Sequence, residues 1–258
     1  MTIIQSIILG IVEGVTEFLP VSSTGHMILA SRLMGIANSP FLESFEIIIQ
    51  FGSILAVVVL YWKKLFASRE TLKKVALAFI PTAIIGFLLY KILKTYFLGN
   101  VALVLWSLFL GGVILIAFEW WHKKYGRVGV AEVSQITYKK SFWTGVWQSL
   151  AIIPGVSRSG ATIVGGMAMG ISREAIVEFS FLLAIPTMAA ATGYDFLKSA
   201  HSFTGSQMVL LAVGFVTAFV VALLAIKWFI SFVQNHSFTS FGIYRIAIAL
   251  IFWLFLIK

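Results

Sequence analysis

The sequence contains no cysteine, so disulfides, thiolate metal sites and cysteine nucleophiles are excluded, and the redox compartment leaves no mark on it. Charge is scarce as well: Asp, Glu, Lys and Arg make up 11% of the chain, against 60% hydrophobic residues. A water-soluble domain of 258 residues carries more polar surface than that. Several segments approach the roughly 20 apolar residues that span a bilayer, so the expected class is an all-α polytopic membrane protein. The N-terminus lacks a basic region and its apolar run passes straight into Glu13, so no cleavable signal is expected. The net charge of +9 does not call for nucleic acid, because basic loops on the cytoplasmic side account for it.

Against that background one polar stretch stands out, Glu13-Gly-Val-Thr-Glu17-Phe-Leu-Pro20-Val-Ser22-Ser23-Thr24-Gly25-His26. Ionisable groups in apolar surroundings are costly and usually functional. On a helix Glu13 and Glu17 share one face, where like charges repel by roughly 0.2–0.5 kcal/mol even in water. In an apolar setting the repulsion grows, so one carboxylate holds a proton or a cation sits between them. Pro20 stops the helix, and Val-Ser-Ser-Thr-Gly reads as a loop and a new helix start. Ser or Thr would cap that start, with backbone N–H groups directed at an anion. Capping alone would explain the hydroxyls and the glycine, but not Glu13, Glu17 and His26.

Along the chain, an apolar helix at 1–12 and a second at about 25–34 are each too short to cross, and together they predict a re-entrant hairpin. Spans are expected at about 46–62, 75–93 and 101–120, the last two joined by a turn at Gly99-Asn100. Loops 63–74 and 121–140 are basic, the second carrying Lys123, Lys124, Arg127, Lys139 and Lys140 against Glu132, and both are placed in the cytoplasm. A short helix at about 140–153 runs into Pro154-Gly-Val-Ser157-Arg158-Ser159-Gly160-Ala-Thr162, a second polar break. The Gly-rich helix after it ends near Gly170. Spans at about 174–196, 208–227 and 241–257 complete six, with both termini outside. Trp62, Trp120, Trp121 and Trp143 read as an interfacial belt, and Gly165, Gly166 and Gly170 as sites of close helix packing.

Shifting the chain by 135 residues lays Ser6, Gly10, Val21, Ser22, Gly25, Ile28, Gly35 and Ile36 on Ser141, Gly145, Val156, Ser157, Gly160, Ile163, Gly170 and Ile171. Glu13 falls on Gln148, and the prolines miss by one. The expected organisation is a single membrane domain, 1–258, built from an inverted-topology internal repeat with halves at 1–120 and 140–258. Such repeats place broken helices, and the site between them, near the bilayer midplane.

Bringing the two breaks together makes an oxyanion receptor. Ser22, Thr24, Gly25, Ser157, Ser159, Gly160 and Thr162 are the expected phosphate binders, and Arg158 offers a planar fork of donors. Glu17, Ser23, His26 and Arg158 are the expected catalytic residues. His26 would protonate a leaving phosphate or attack phosphorus, and a serine beside a carboxylate could equally be the nucleophile. Glu13 and Glu17 could hold Mg²⁺ or Ca²⁺ through oxygen ligands. Glu46, Gln50 and Glu178, near span ends, are read as making helix-end or interhelical bonds rather than lining the pocket. Two classes fit: a phosphatase on an amphiphilic diphosphate, or a transporter or flippase of a phosphorylated lipid or anion. Two carboxylates and a histidine in one pocket favour the enzyme.

The segments 13–26 and 154–162 resemble the two signatures of bacterial undecaprenyl-diphosphate phosphatases of the bacitracin-resistance type. The resemblance covers essentially the whole chain. It implies hydrolysis of undecaprenyl diphosphate to the monophosphate and inorganic phosphate, recycling the lipid carrier for peptidoglycan synthesis, with a divalent metal ion required. By that resemblance Glu13, Glu17, Ser23, His26 and Arg158 carry over as functional residues. The implied setting is the bacterial inner membrane, with the site opening to the outer face and a polyprenyl diphosphate as substrate. The number of subunits is not legible, and a homodimer stays open.

Overall fold

The computed structural model describes residues 1–96, 100–126, 129–199 and 203–256. Gly99 of the expected turn and Arg127 of the second basic loop lie outside the described residues. The described chain is helical and holds no β-strand; its one extended pairing is an isolated parallel bridge between Val130 and Ile171.

Helix α1 spans Ile3–Thr16, started by a reciprocal cap between Thr2 and Gln5, and α2 spans Ser23–Leu33. Helix α3, Pro40–Ala67, opens with Ser39 as cap and Pro40 where the missing N–H is harmless. Then follow α4 (Arg69–Tyr96), α5 (Val101–Tyr125), α6 (Tyr138–Gln148), α7 (Arg158–Ala168), α8 (Arg173–Ser199), α9 (Gly205–Asn235) and α10 (Thr239–Leu256). Five of these, α3, α4, α5, α8 and α9, are long and apolar enough to cross a membrane. The sixth expected span falls on α10, a shorter apolar helix.

The expected loop at 63–74 is a correction, since all of it but Ser68 is helical. It has no Gly or Pro, and Lys, Leu, Arg and Glu are good helix formers, so its polarity marks solvent rather than irregular backbone. Ser68 alone turns the chain, its hydroxyl accepting from Thr71 N–H at 3.2 Å to cap α4. Helix α1 likewise outruns its expected end and stops at Thr16, well before Pro20.

The helices do not pack in chain order. Helix α1 lies on α9 and α6 on α4, while α3 meets α8 and α5 meets α10. Helix association in lipid has little hydrophobic drive and depends on close van der Waals approach, which small residues permit. A Cβ at Gly14 would sit 2.7 Å from the Ala218 carbonyl oxygen of α9, and one at Gly145 would overlap the Ala78 carbonyl of α4. Gly165 and Gly166 serve the same end against Trp147 and Ile176, whereas Gly170 is there for its φ of +76° in the turn after α7. The apolar core is aromatic, with Phe18, Phe179, Phe181, Phe229 and Phe238 fully buried, and Phe18 meeting Phe181 edge-on at 5.2 Å. Trp62, Trp120, Trp121 and Trp143 are all exposed on the protein surface, as an interfacial belt requires.

Candidate active site

Two helix breaks meet inside the molecule. The first, between α1 and α2, carries Glu17 to Ser22; the second, between α6 and α7, carries Ile153 to Ser157. They are stitched by the Leu19 carbonyl, which accepts from Ser159 Oγ at 2.7 Å and from Ser157 Oγ at 3.4 Å. Each break ends in a serine cap. Ser22 Oγ accepts from Gly25 N–H and Ser157 Oγ from Gly160 N–H. Ser22 holds φ at +73°, the only positive value for a non-glycine among the described residues, a conformation costing on the order of 1–3 kcal/mol.

Glu13 and Glu17 keep their helical relation, because Glu17 N–H donates to the Glu13 carbonyl at 2.9 Å. Their side chains fare differently. Glu17 Oε1 accepts from Arg158 Nη2 at 2.8 Å, and Glu17 Oε2 accepts from Ser23 Oγ at 2.6 Å. Glu13 is fully buried, and neither of its carboxylate oxygens has a hydrogen-bond partner. Its polar neighbours are Glu17, Arg158 and Ser53 of α3, whose hydroxyl is also without a partner.

Arg158 does not present an open fork. Its Nη1 donates to the Ser180 carbonyl at 2.9 Å and to Ser180 Oγ at 3.2 Å, its Nη2 is on Glu17, and its Nε alone has no partner. The Phe18 ring lies 5.9 Å from the guanidinium carbon.

These groups border a cavity of about 170 Å³. That is below the roughly 300–1,000 Å³ of sites for drug-sized ligands, and suits a small head group rather than a long chain. Glu17, Ser22, Ser23, Thr24, Ser157 and Arg158 line it. Glu13, Gly25, His26, Ser159, Gly160 and Thr162 do not. Gly25 and Gly160 have their N–H groups committed to caps, and Thr162 pairs with Ser180 Oγ at 2.6 Å. His26 faces away: Nδ1 lies 2.8 Å from the Ser22 carbonyl, and Nε2 is 3.0 Å from the Tyr244 hydroxyl. Of the span-end residues, Glu178 accepts from Lys64 Nζ at 3.0 Å, and neither Glu46 nor Gln50 reaches the cavity.

Several residues of the site were not foreseen. Thr82 and Thr187 also line the cavity, each directly after a proline within a helix, and Gln148 Nε2 donates to both at 2.9 and 3.0 Å. The twice-used Ile-Pro-Thr was the available signal. Arg245 on α10 was passed over inside an apolar run where a charge ought to have drawn notice. Ser180 and Tyr244 carried no signal of their own.

Residues 6–251 match the family described as Bacitracin resistance protein BacA. The chain is 53% identical over 252 residues to an undecaprenyl-diphosphatase of Aquifex aeolicus, covering 98% of each. It is 53% identical over 257 residues to one of Persephonella marina, covering all of both, and 50% identical over 256 residues to one of Wolinella succinogenes, covering 99% of each. With two polar breaks joined around Glu17 and Arg158 and a match that runs almost end to end, the chain belongs to the bacitracin resistance protein BacA family.

Proposed function

We infer that this chain hydrolyses undecaprenyl diphosphate to undecaprenyl phosphate and inorganic phosphate, recycling the lipid carrier for peptidoglycan synthesis. The observation that carries the reading is the chain of contacts Ser23–Glu17–Arg158 on the wall of a head-group-sized cavity. Ser23 Oγ attacks the terminal phosphorus while its proton passes to Glu17 Oε2. The bond from that phosphorus to the bridging oxygen breaks, and undecaprenyl phosphate leaves. Glu17 gives that proton to the departing phosphate oxygen; water then attacks the phosphoserine, its proton passing to Glu17 and on to Ser23 Oγ as the bond from phosphorus to that oxygen breaks and phosphate leaves. Arg158 holds the transferred phosphoryl group through the Nη2 it shares with Glu17. The geometry favours Ser23 over His26 as nucleophile, since His26 Nε2 is turned to Tyr244. Purified protein in detergent, where no gradient exists, should release phosphate from the lipid diphosphate. A transporter would release none there.

A divalent cation fits the buried Glu13, whose two oxygens lack partners, with Glu17 as its neighbour. Among the described residues no group of three or more His, Cys, Asp or Glu side chains could hold a metal, so Glu13 and Glu17 would be the residues of this chain that hold such an ion, with water completing its shell. When bound, such an ion neutralises charge on the phosphate oxygens. Glu13→Gln is expected to raise the half-saturating metal concentration about tenfold, the equivalent of about 1.4 kcal/mol, and to weaken metal-induced thermal stabilisation alike. Wild-type metal dependence in both readouts would remove Glu13 from the ion.

For the membrane we propose six spans, α10 being the sixth, and two re-entrant hairpins, α1–α2 and α6–α7, in an inverted repeat with halves 1–120 and 140–258. Equivalent positions behave alike: Ser22 and Ser157 cap, Gly35 and Gly170 take φ of +64° and +76°, and Ile36 and Ile171 N–H bond back to Ser31 and Gly166. The packing of α1 on α9 and of α6 on α4 obeys the same exchange of halves. Both termini and the mouth of the cavity then face the outside of the inner membrane. Because the chain has no cysteine, Arg69→Cys and Lys139→Cys each give a single label site. Labelling is expected from the cytoplasmic side alone, and labelling from outside intact cells would reverse the orientation.

A further inference from the structure

A guanidinium buried among apolar helices must be satisfied by another charge or by dipoles. Arg245 on α10 is 3% exposed and has no carboxylate partner among the described residues. Every nitrogen of its side chain donates to a backbone carbonyl instead. Nε reaches Leu108 at 3.3 Å, Nη1 reaches Pro20 at 3.2 Å, and Nη2 reaches Ser107 and Gly155, both at 3.0 Å.

The identity of those four carbonyls is informative. Ser107 and Leu108 belong to α5, a long apolar helix. Pro20 lies in the first break, between Glu17 and Ser22, and Gly155 lies in the second, between Ile153 and Ser157. One side chain thus ties both breaks to a common helix. The seat is shaped for it: a Cβ at Gly111 of α5 would lie 2.7 Å from the guanidinium carbon and overlap Nη2. At Gly155 φ is +88°, a backbone state that favours glycine, and there a Cβ would lie 2.7 Å from the Val104 carbonyl oxygen. Neighbouring Tyr244 holds His26 from the same turn of α10.

We propose that Arg245 is a positioning residue for the hydrolysis, fixing the break that carries Glu17 and leads into Ser23 against the break that leads into Arg158. The inference rests on the diphosphatase reading of the cavity. Its physical basis is the flat fork of donors, which can address separate carbonyls at once, whereas the ammonium of lysine is a single point on a flexible stem. Arg245 does not line the cavity, so it acts through the groups it holds. A displacement of about 1 Å between reacting groups can cost on the order of 10²-fold in rate.

Two variants test this, assayed as purified protein with the lipid diphosphate at saturating metal. Arg245→Lys keeps the charge and loses the fork. Gly111→Ala keeps Arg245 and forces its guanidinium from the seat, while alanine within a helix is intrinsically favourable. Both should lower kcat per folded molecule on the order of 10²-fold, with KM within about threefold, while the thermal midpoint falls because buried carbonyls lose their donors. Gly86→Ala, whose added Cβ would meet nothing nearer than Ile152 Cδ1 at 4.0 Å, should leave every readout alone. If Arg245→Lys fails to fold, Gly111→Ala decides on the same readouts. Retention of kcat within about threefold, or a loss that matches the fraction unfolded, would overturn the proposal. An inactive wild type would instead overturn the diphosphatase reading, so the two failures are told apart.

Discussion

Glu17→Gln is expected to lower phosphate release by at least about 10³-fold. Three roles meet in that carboxylate. Its Oε2 accepts the Ser23 hydroxyl at 2.6 Å, its Oε1 pairs with Arg158 at 2.8 Å, and it neighbours the unpartnered Glu13. An amide keeps the size but cannot take the serine proton, and general-base assistance alone is worth about 10²–10⁴-fold. It also leaves Arg158, 8% exposed, without a counter-charge, and breaking a buried ion pair from one side costs on the order of 3–5 kcal/mol. Thermal stability should therefore fall along with turnover. Measuring kcat against the folded fraction separates the two contributions. Wild-type kcat in the folded fraction would refute Glu17 as the base and, with it, Ser23 as the nucleophile it serves.

Arg158→Lys should be nearly as harmful, for a different reason. The guanidinium bridges the first break to α8, binding Glu17 with Nη2 and Ser180 with Nη1, and keeps Nε without a partner. A lysine ammonium can retain the pairing with Glu17. It cannot reach Ser180 in the same pose, nor offer a second donor in a fixed plane to phosphate. The loss should resemble removal of one oxyanion donor, on the order of 10²–10³ in turnover. A loss below about threefold at unchanged stability would remove Arg158 from the chemistry. The closed fork adds a finer expectation, because part of the guanidinium's capacity is already engaged before substrate arrives. Phosphate must share Nη2 with Glu17, so the same variant should bind inorganic phosphate only modestly more weakly while losing turnover heavily.

The helical class and the two polar breaks were legible because each leaves a local mark: apolar runs of bilayer length, and hydroxyls, proline and glycine packed into otherwise greasy sequence. Glu17, Ser23 and Arg158 could be read together because both breaks share one pattern. What escaped was set by tertiary direction. Whether His26 points into the cavity or at Tyr244 depends on α10, more than two hundred residues away, and nothing near His26 encodes it. The helical state of 63–74 escaped because charge was taken as a sign of loop, when propensity should have ruled. Arg245 could have been found. A lone charge in an apolar run is a strong local signal, but its meaning appears only when the carbonyls of Pro20 and Gly155 are seen beside it.

The seating of α1 against α9 has a consequence for how the protein is made. Elements close in sequence usually lie close in space, and chains emerge from the ribosome N-terminus first. Here α1 meets its main partner only after α2 to α8 have been made, because α9 occupies Gly205–Asn235. Until then the hairpin bearing Glu13 and Glu17 has no permanent wall on that side. Arg158, the counter-charge of Glu17, also arrives late. A nascent chain stalled before α7 therefore holds Glu17 without its counter-charge, a state that the bilayer interior would reject, and quality-control proteases should find such truncated products readily.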